Sequence, residues 1–468
     1  MKLENGVKRQ KPNGLNRKGQ SETMSRSEKE PSAFSIEDKE TLRIKELSLL
    51  EKILDKENIL KAAFKVHSNK GAPGIDEVTV NELGDYMKTH WERIHSEILL
   101  GKYKPQAVLR VEIPKPDGSK RQLGIPTVID RVIQQGILQI LSPIFEEGFS
   151  ESSFGFRPKR SAHDAITKAK EYVSSGKSYV VDIDLEKFFD KIQHEVLMKR
   201  VARKIKDNGT LILIRSYLKS GIMLDGICVA NVEGTPQGGP LSPLLANIML
   251  DDLDKELEKR GHTFCRYADD CNIYVKSQKA GERVKESVTK FIEKALLLKV
   301  NKEKSAVDKV SRRKFLGFTI IRVGGDYRIT IAQKSIDKFK DKVRELTRVR
   351  KNLSIVQRLV QIKEYFRGWL QYFAISENKS IFEKLDSWVR RRLRMCLWVD
   401  WKKPKRRLAE LTKLGVPLSR AISSAYSRKG KWACAHSKAM DIGLDNTTWI
   451  AMGYYCLLLN FQRIRKYQ

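Results

Sequence analysis

The chain has 468 residues, and its 90 Lys and Arg against 57 Asp and Glu give a formal net charge of +33. This length is enough for two to four domains, and the charge favours nucleic acid or an anionic membrane surface as partner. No apolar run reaches spanning length and no signal peptide precedes the fold, so the sequence predicts neither a membrane-spanning nor a secreted protein.

The positive charge is concentrated near the C-terminus. Residues 301–468 carry 39 basic and 14 acidic residues, whereas residues 1–300 carry 51 and 43. A basic block beside a nearly balanced one is typical of a nucleic-acid clamp attached to a catalytic body.

Cysteine and histidine usage limits the kinds of metal site. The six cysteines form no C-x-x-C pair, which disfavours a disulfide framework and a zinc ribbon and suits a reducing cytosol. The seven histidines show no metal-like spacing. A metal site in this chain therefore has to be built from carboxylates.

The N-terminal part begins with a leader and continues as a helix. Residues 1–45 are predicted to be a basic, disordered leader, because Lys, Asn, Ser and Glu prevail over large apolar side chains at its start. An amphipathic helical pattern begins near Ile36 and ends at the Gly/Pro turn of residues 70–76.

Two short strands are predicted next, over Val108–Ile113 and Arg121–Ile125, and a helix over Asp130–Ile140 follows them. The strands are joined by a Pro-Asp-Gly turn, and Lys115, Lys120 and Arg121 surround its tip. Such a tip is either a solvated hairpin or a flap whose charges contact a triphosphate.

A buried strand over Tyr179–Leu185 delivers Asp182 and Asp184 near its C-terminal end, where α/β sites usually lie. The two carboxylates share a face because side chains alternate along a strand, and only one of them need bind a metal. The Gly-rich loop of residues 234–243 then opens a helix near Leu244, and its glycines permit close backbone approach to a ligand.

The stretch of residues 263–275 predicts a β-hairpin with Ala268, Asp269 and Asp270 at its tip. Adjacent anions repel, and Mg²⁺ removes this repulsion because it prefers carboxylate oxygen. A bare Asp-Asp pair alone also fits an acidic turn in solvent.

Beyond Ser335 the hydrophobic period becomes helical and indicates a bundle with aromatic stripes. The basic residues of this part are either a solvated face or, as we predict, a phosphate-binding track: Arg390, Arg391, Arg392, Arg394, Lys402, Lys403, Lys405, Arg406 and Arg407.

Taken in order, these motifs resemble those of reverse transcriptases, and more narrowly those of the compact class C enzymes encoded by group II introns. The similar blocks are residues 71–76, 123–127, 154–158, 181–190, 235–244 and 267–270. The resemblance extends from about residue 46 to the C-terminus.

The resemblance implies an α+β fold of the right-hand polymerase type with a helical thumb and a basic extension. The implied parts are fingers over residues 46–178, palm over 179–332, thumb or maturase domain over 333–420, and a DNA- and RNA-binding region over 421–468. It also implies target-primed reverse transcription of intron RNA and help with splicing, in a cytoplasmic ribonucleoprotein.

The family's site residues can be carried onto this chain. Asp184, Asp269 and Asp270 are the implied ligands of two Mg²⁺ ions, and Asp184 is preferred to Asp182 because the family's sugar-selecting aromatic stands five residues after the metal ligand. That aromatic is Phe189. The implied contacts of the incoming dNTP and the template are Lys115, Arg121, Gln237 and Gly238.

Two alternatives remain open from the sequence. One is an RNA-binding maturase with little polymerase activity, and the other is the reverse transcriptase of a retron or a diversity-generating element. The intact acidic triad argues against the first, and the long N-terminal helix and basic C-terminal part argue against the second.

Overall fold

A computed structural model describes residues 47–114, 120–224, 227–229, 234, 238–349 and 353–466. The predicted leader, Lys115 and Gln237 lie outside the described residues, as does the side chain of Arg121. The first described elements are α1 (Leu49–Leu54), α2 (Lys56–Ser68), α3 (Leu83–Leu99), β1 (Val108–Pro114), β2 (Lys120–Ile125), α4 (Val128–Glu146), α5 (Ala162–Ser174), β3 (Tyr179–Ile183), α6 (Phe188–Lys191), α7 (His194–Lys204), α8 (Asn208–Lys219), β4 (Ile222–Leu224) and β5 (Ile227–Val229).

The second part of the chain turns from strands to helices. Its elements are α9 (Ser242–Lys259), β6 (Thr263–Tyr267), β7 (Asp270–Val275), α10 (Gln278–Phe291), β8 (Ala306–Lys309), β9 (Phe318–Val323), β10 (Asp326–Ile331), α11 (Gln333–Leu346), α12 (Ile355–Phe373), α13 (Lys379–Asp400), α14 (Pro404–Lys413), α15 (Leu418–Ala425), α16 (Lys431–Cys434), α17 (Lys438–Gly443), α18 (Asn446–Ala451) and α19 (Leu457–Lys466).

The N-terminal helical pattern is divided at Asp55. Its side chain accepts hydrogen bonds from Glu57 N (2.9 Å) and Asn58 N (3.3 Å), so it caps the start of α2. The predicted pattern therefore forms two helices within the described residues, and α2 ends at Ser68, just before the Gly/Pro turn.

The two predicted strands that follow are confirmed as the antiparallel pair β1–β2. They belong to a four-stranded sheet in the order β2-β1-β4-β5, in which β1 runs parallel to β4. The predicted helix after them is also confirmed, and α4 extends it to residues 128–146.

A second four-stranded sheet has the order β6-β7-β3-β8, and its neighbouring strands are antiparallel. Val181 and Ile183 of β3 belong to one hydrophobic cluster, whereas Val180 of the same strand belongs to another. Both faces of this sheet are thus covered, because alternate side chains point to opposite faces. This burial on both sides holds the strand ends in fixed positions.

The C-terminal helices pack on the second of these clusters. The predicted aromatic stripes are buried there, among them Phe339, Phe366 and Trp369, so their assignment to a bundle core is confirmed. Asp386 of α13 accepts hydrogen bonds from Tyr454 Oη (2.7 Å) and Leu457 N (2.9 Å), which ties α19 to α13.

Strand β9 begins at Phe318, because Leu316 (φ +51°) and Gly317 (φ +85°) form a turn before it. In the described part of the chain, no helix combines the length and apolar character needed to cross a bilayer.

Candidate active site

The hairpin predicted around the two adjacent aspartates is confirmed. Tyr267 pairs with Asp270, so only Ala268 and Asp269 join β6 to β7. Ala268 has φ +58°, a left-handed conformation that side chains with a Cβ rarely adopt. This tight turn delivers Asp269 and Asp270 to one end of the sheet.

Asp184 reaches the same end from the neighbouring strand. The antiparallel register pairs Ile183, the residue before Asp184, with Cys271, the residue after Asp270. The backbone of Asp184 is fixed on both sides, because its N–H donates to Ser305 Oγ (2.9 Å) and its carbonyl accepts from Asn301 N (2.9 Å). Asp184 therefore lies at the same end of the sheet as Asp269 and Asp270, and all three line one cavity.

These carboxylates line a cavity of about 1320 Å³. Its lining includes the carboxylates of Asp182, Asp184, Asp269 and Asp270, and also Lys340, Lys384 and Trp388 from α11 and α13. The cavity thus combines carboxylates, which suit a cation, with basic and aromatic side chains, which suit an anionic partner.

The Asp182 carboxylate has a basic partner, Arg313. Its carboxylate accepts hydrogen bonds from Arg313 Nε (3.0 Å) and from the Nη2 of the same side chain. Both bonds go to one carboxylate oxygen, and the guanidinium offsets the negative charge of Asp182. The choice of Asp184 over Asp182 as metal ligand stays a prediction.

Burial and nearby carboxylates both disfavour the ionised form of Asp270. Burial and the nearby carboxylates of Asp182, Asp269 and Asp184 raise the pKa of Asp270 to about 7, although Lys314 opposes the shift. The ionised site is therefore electrostatically unfavourable by itself, and a bound cation would relieve the repulsion.

The donor set fits Mg²⁺ in its chemistry. Asp184, Asp269 and Asp270 offer carboxylate oxygens and line a cavity with room for water and phosphate. Within the described ranges, no three His, Cys, Asp or Glu side chains are already gathered as a metal site. Binding would thus draw together carboxylates that share the same cavity.

We expect Asp270→Asn to raise the melting temperature of the metal-free protein at a pH above the pKa of about 7, where the substitution removes a buried negative charge from among like charges. Mg²⁺ at a hundred times its Kd should stabilise the wild type by about 2.7 kcal/mol and the variant by less. Thermal melts with EDTA and with Mg²⁺ measure both effects. Asp308→Asn, on β8 of the same sheet, serves as control. A metal-free Asp270→Asn protein that melts below the wild type would contradict this electrostatic account.

Phe189 lies on the short helix α6, which follows β3. Its side chain is only 8% exposed and packs edge-to-face on Phe188, with ring centroids 5.1 Å apart. Gly234 lies against this turn, since a Cβ on it would meet Asp190 Cα and Phe189 O at 2.9 Å. Phe189 is thus held rigidly, and its role in sugar selection stays a prediction.

The Gly-rich loop is predicted to allow close backbone approach to a ligand. At Gly238 the structure shows a close approach to the backbone of strand β2. Gly238 has φ +133°, and a Cβ on it would lie 2.3 Å from the carbonyl oxygen of Gly124 in β2. Gly238 therefore packs on strand β2. The roles of Gln237, Lys115 and Arg121 remain predictions.

The predicted basic track divides into two groups. Arg391 stacks on the Trp432 ring at 4.1 Å, and Arg392 Nε donates to Thr347 Oγ1 (2.9 Å). Arg394 is 8% exposed, donates to Leu444 O (2.6 Å) and pairs with Asp441. These side chains join α13 to neighbouring parts of the chain. Because Arg394 is buried and paired, its contacts stabilise the packing of the helices.

The other group is open to solvent or stacks at the surface. Lys402, Lys403, Lys405 and Arg406 are exposed, and Arg407 stacks on Trp398 at 4.5 Å. Arg390 is half-buried. The residues available for phosphate contact are therefore concentrated around the start of α14.

Two site residues have no distinct signal in the sequence. Arg313 and Lys314 border the cavity and act on Asp182 and Asp270, yet they stand in an ordinary basic run. Their function depends on a fold that brings β3 beside residues 131 positions later.

Comparison with known families identifies two domains in this chain. Residues 113–320 match the reverse transcriptase (RNA-dependent DNA polymerase) family, and residues 336–415 match the group II intron maturase-specific domain. The chain belongs to the reverse transcriptases that carry a group II intron maturase domain. The mixed architecture and this match confirm the predicted α+β right-hand polymerase fold. Membership entails a divalent-metal-dependent enzyme that acts on nucleic acid.

Curated relatives agree with this family. Protein YkfC of Escherichia coli is 34% identical over 328 residues, which cover 61% of this chain and 86% of YkfC. The group II intron-encoded protein LtrA of Lactococcus lactis is 40% identical over 193 residues, 41% of this chain and 32% of LtrA. The putative COX1/OXI3 intron 2 protein of Saccharomyces cerevisiae is 32% identical over 224 residues, 47% of this chain and 25% of that protein. The matched part thus spans about a third or less of the two intron-encoded relatives.

Proposed function

We propose that this chain is the RNA-directed DNA polymerase of a group II intron, and that it copies intron RNA into DNA by target-primed reverse transcription. It also acts as a maturase that binds the intron RNA and promotes splicing, in a cytoplasmic ribonucleoprotein. The observation that supports this most is the cavity that Asp184, Asp269 and Asp270 line together with basic and aromatic side chains of α11 and α13.

The proposed domains are those of a right-hand polymerase. Fingers, palm and thumb correspond to residues 46–178, 179–332 and 333–420, and residues 421–468 form a DNA- and RNA-binding region. The cavity then lies between palm and thumb, with room for the end of an RNA–DNA duplex.

Each proposed role rests on the chemistry of one side chain. Asp184, Asp269 and Asp270 hold two Mg²⁺ ions, which when bound lower the pKa of the primer 3′-hydroxyl and neutralise the triphosphate. Lys115 and Arg121 contact the triphosphate of the incoming dNTP, where Arg can bind phosphate through two hydrogen bonds. Phe189 excludes a ribose 2′-hydroxyl, and Gln237 and Gly238 line the nucleotide and template pocket.

The exposed basic residues at α14 provide the proposed contacts with RNA phosphates. Alanine at Lys402, Lys403 or Lys405 should each reduce the slope of log K against log salt by about 0.7–0.9, because each phosphate contact releases counterions. Filter binding of the RNA over a salt series measures this slope.

Arg394→Ala is the matched control, since this arginine is buried and bonded to Leu444 O. We expect it to lower the melting temperature and leave the salt slope unchanged. Equal slopes in the wild type and all three lysine variants would remove these residues from the RNA interface.

The function is tested by supplying the chain with the RNA that flanks its coding sequence. The proposal predicts faster splicing of that RNA and cDNA synthesis on it, both above the level on an unrelated RNA of equal length. Splicing help without cDNA would favour a maturase with little polymerase activity. Synthesis without splicing help would favour a retron or diversity-generating enzyme.

A further inference from the structure

Arg266 is a fully buried arginine one residue before the end of β6, and its side chain is 0% exposed. Removing a guanidinium from water is unfavourable unless every donor is paired. We therefore expect each N–H group of this arginine to have a hydrogen-bond acceptor.

All five N–H groups of Arg266 have acceptors. Nε and Nη2 donate to the two carboxylate oxygens of Asp254 (2.7 and 2.5 Å), and Nη2 also donates to Ser153 Oγ (2.7 Å). Nη1 donates to Asn247 Oδ1 (2.9 Å) and to the carbonyl oxygen of Ala268 (2.9 Å). The last of these bonds holds the residue that gives the turn its left-handed conformation.

The same turn is held from its other side by residues 152–156. Arg266 N donates to Ser152 O (2.8 Å), and Phe154 N donates to Arg266 O (2.8 Å). Gly155 touches the turn so closely that a Cβ on it would lie 2.3 Å from Ala268 N. Asn247 Nδ2 donates to Gly155 O (2.9 Å), so one network joins this segment, α9 and the turn.

We propose that Arg266 is a positioning residue that fixes the Ala268–Asp269 turn and thereby aims both aspartates into the cavity. Its charge is balanced by Asp254 on the rigid helix α9, and its Nη1 holds Ala268 in a conformation that alanine disfavours. The Ser152–Phe156 segment is coupled to the aspartates through the same guanidinium. The inference rests on the proposed polymerase function for its catalytic consequence.

The test compares Arg266→Lys with Arg200→Lys. Arg200 is a matched buried arginine on α7 that pairs with Asp252 (2.9 Å) and donates to Val196 O and Ala295 O, away from the turn. Lysine keeps the charge in both proteins but cannot make the five bonds of a guanidinium. We expect Arg266→Lys to lower kcat for dNTP addition by about 10- to 100-fold, because displaced catalytic groups lose rate steeply.

The change in kcat should come with little change in KM for the dNTP or in Kd for template–primer, and with a higher Mg²⁺ requirement. Arg200→Lys should lower the melting temperature without this loss of kcat. If Arg266→Lys folds poorly, Gly155→Ala disturbs the turn from outside and leaves the Asp254 pair intact, and the same loss of kcat is expected. Equal kcat losses in Arg266→Lys and Arg200→Lys, at equal losses of stability, would overturn the proposal.

Amide hydrogen exchange separates this proposal from the polymerase function. Faster exchange in a peptide covering residues 263–275 is expected for Arg266→Lys and not for Arg200→Lys, whether or not the protein extends a primer. A wild type that extends no primer would contradict the polymerase function alone. Unchanged exchange in Arg266→Lys would contradict the positioning role alone.

Discussion

Replacing Asp269 by asparagine should lower the rate of DNA primer extension by about 10³-fold or more, because charge stabilisation is usually the largest single contribution in such sites. Asp269 lies at the tip of the β6–β7 turn and lines the cavity with Asp184 and Asp270. The substitution keeps the shape of the side chain but removes its negative charge. Single-turnover extension with saturating template–primer measures the effect.

Binding of RNA and splicing of the intron should be largely retained in Asp269→Asn, since the exposed basic residues at α14 lie outside the cavity lining. Asp308→Asn removes a carboxylate from β8 of the same sheet and should leave extension near the wild-type rate. Near-normal extension by Asp269→Asn would show that this aspartate is not a metal ligand.

Replacing Phe189 by valine should weaken the preference for dNTPs over rNTPs by about 10- to 100-fold. The buried ring stands on the turn after β3, where a smaller side chain would leave space for a 2′-hydroxyl. Discrimination by shape alone is usually of this size. The ratio of kcat/KM for a matched dNTP and rNTP gives the measurement.

Phe188→Val is the control for this experiment because it removes an equal volume from the adjacent residue. Phe188 is 3% exposed and belongs to the same hydrophobic cluster as Phe189. Both variants should lose stability, but only Phe189→Val should change sugar selectivity. If the two variants select sugars equally, Phe189 is not the residue that excludes the ribose 2′-hydroxyl.

The elements that carry the aspartates could be predicted because their signals are local. Strand β3 and the β6–β7 hairpin are short runs of β-branched and aromatic residues on either side of a break in the pattern. The choice of Asp184 came from the family resemblance.

The remaining features depend on contacts between distant parts of the chain. Arg394 stands in a basic run, yet α17 and its flanking residues bury it through Asp441 and Leu444. Arg266 is an arginine within a strand, and its partners Ser153, Asn247 and Asp254 lie 12 to 113 residues away. Local patterns give the type of an element, but they do not specify which face meets which neighbour.

We propose that RNA-templated DNA synthesis takes place in the cavity lined by the aspartates and by α11 and α13. Extension of a DNA primer on an RNA template with Mg²⁺, by the wild type and by Asp269→Asn in parallel, tests this proposal. The account predicts template-directed cDNA from the wild type and at least about 10³-fold less from the variant. A wild type that binds the template–primer but adds no nucleotide, or a variant that equals it, would contradict the account.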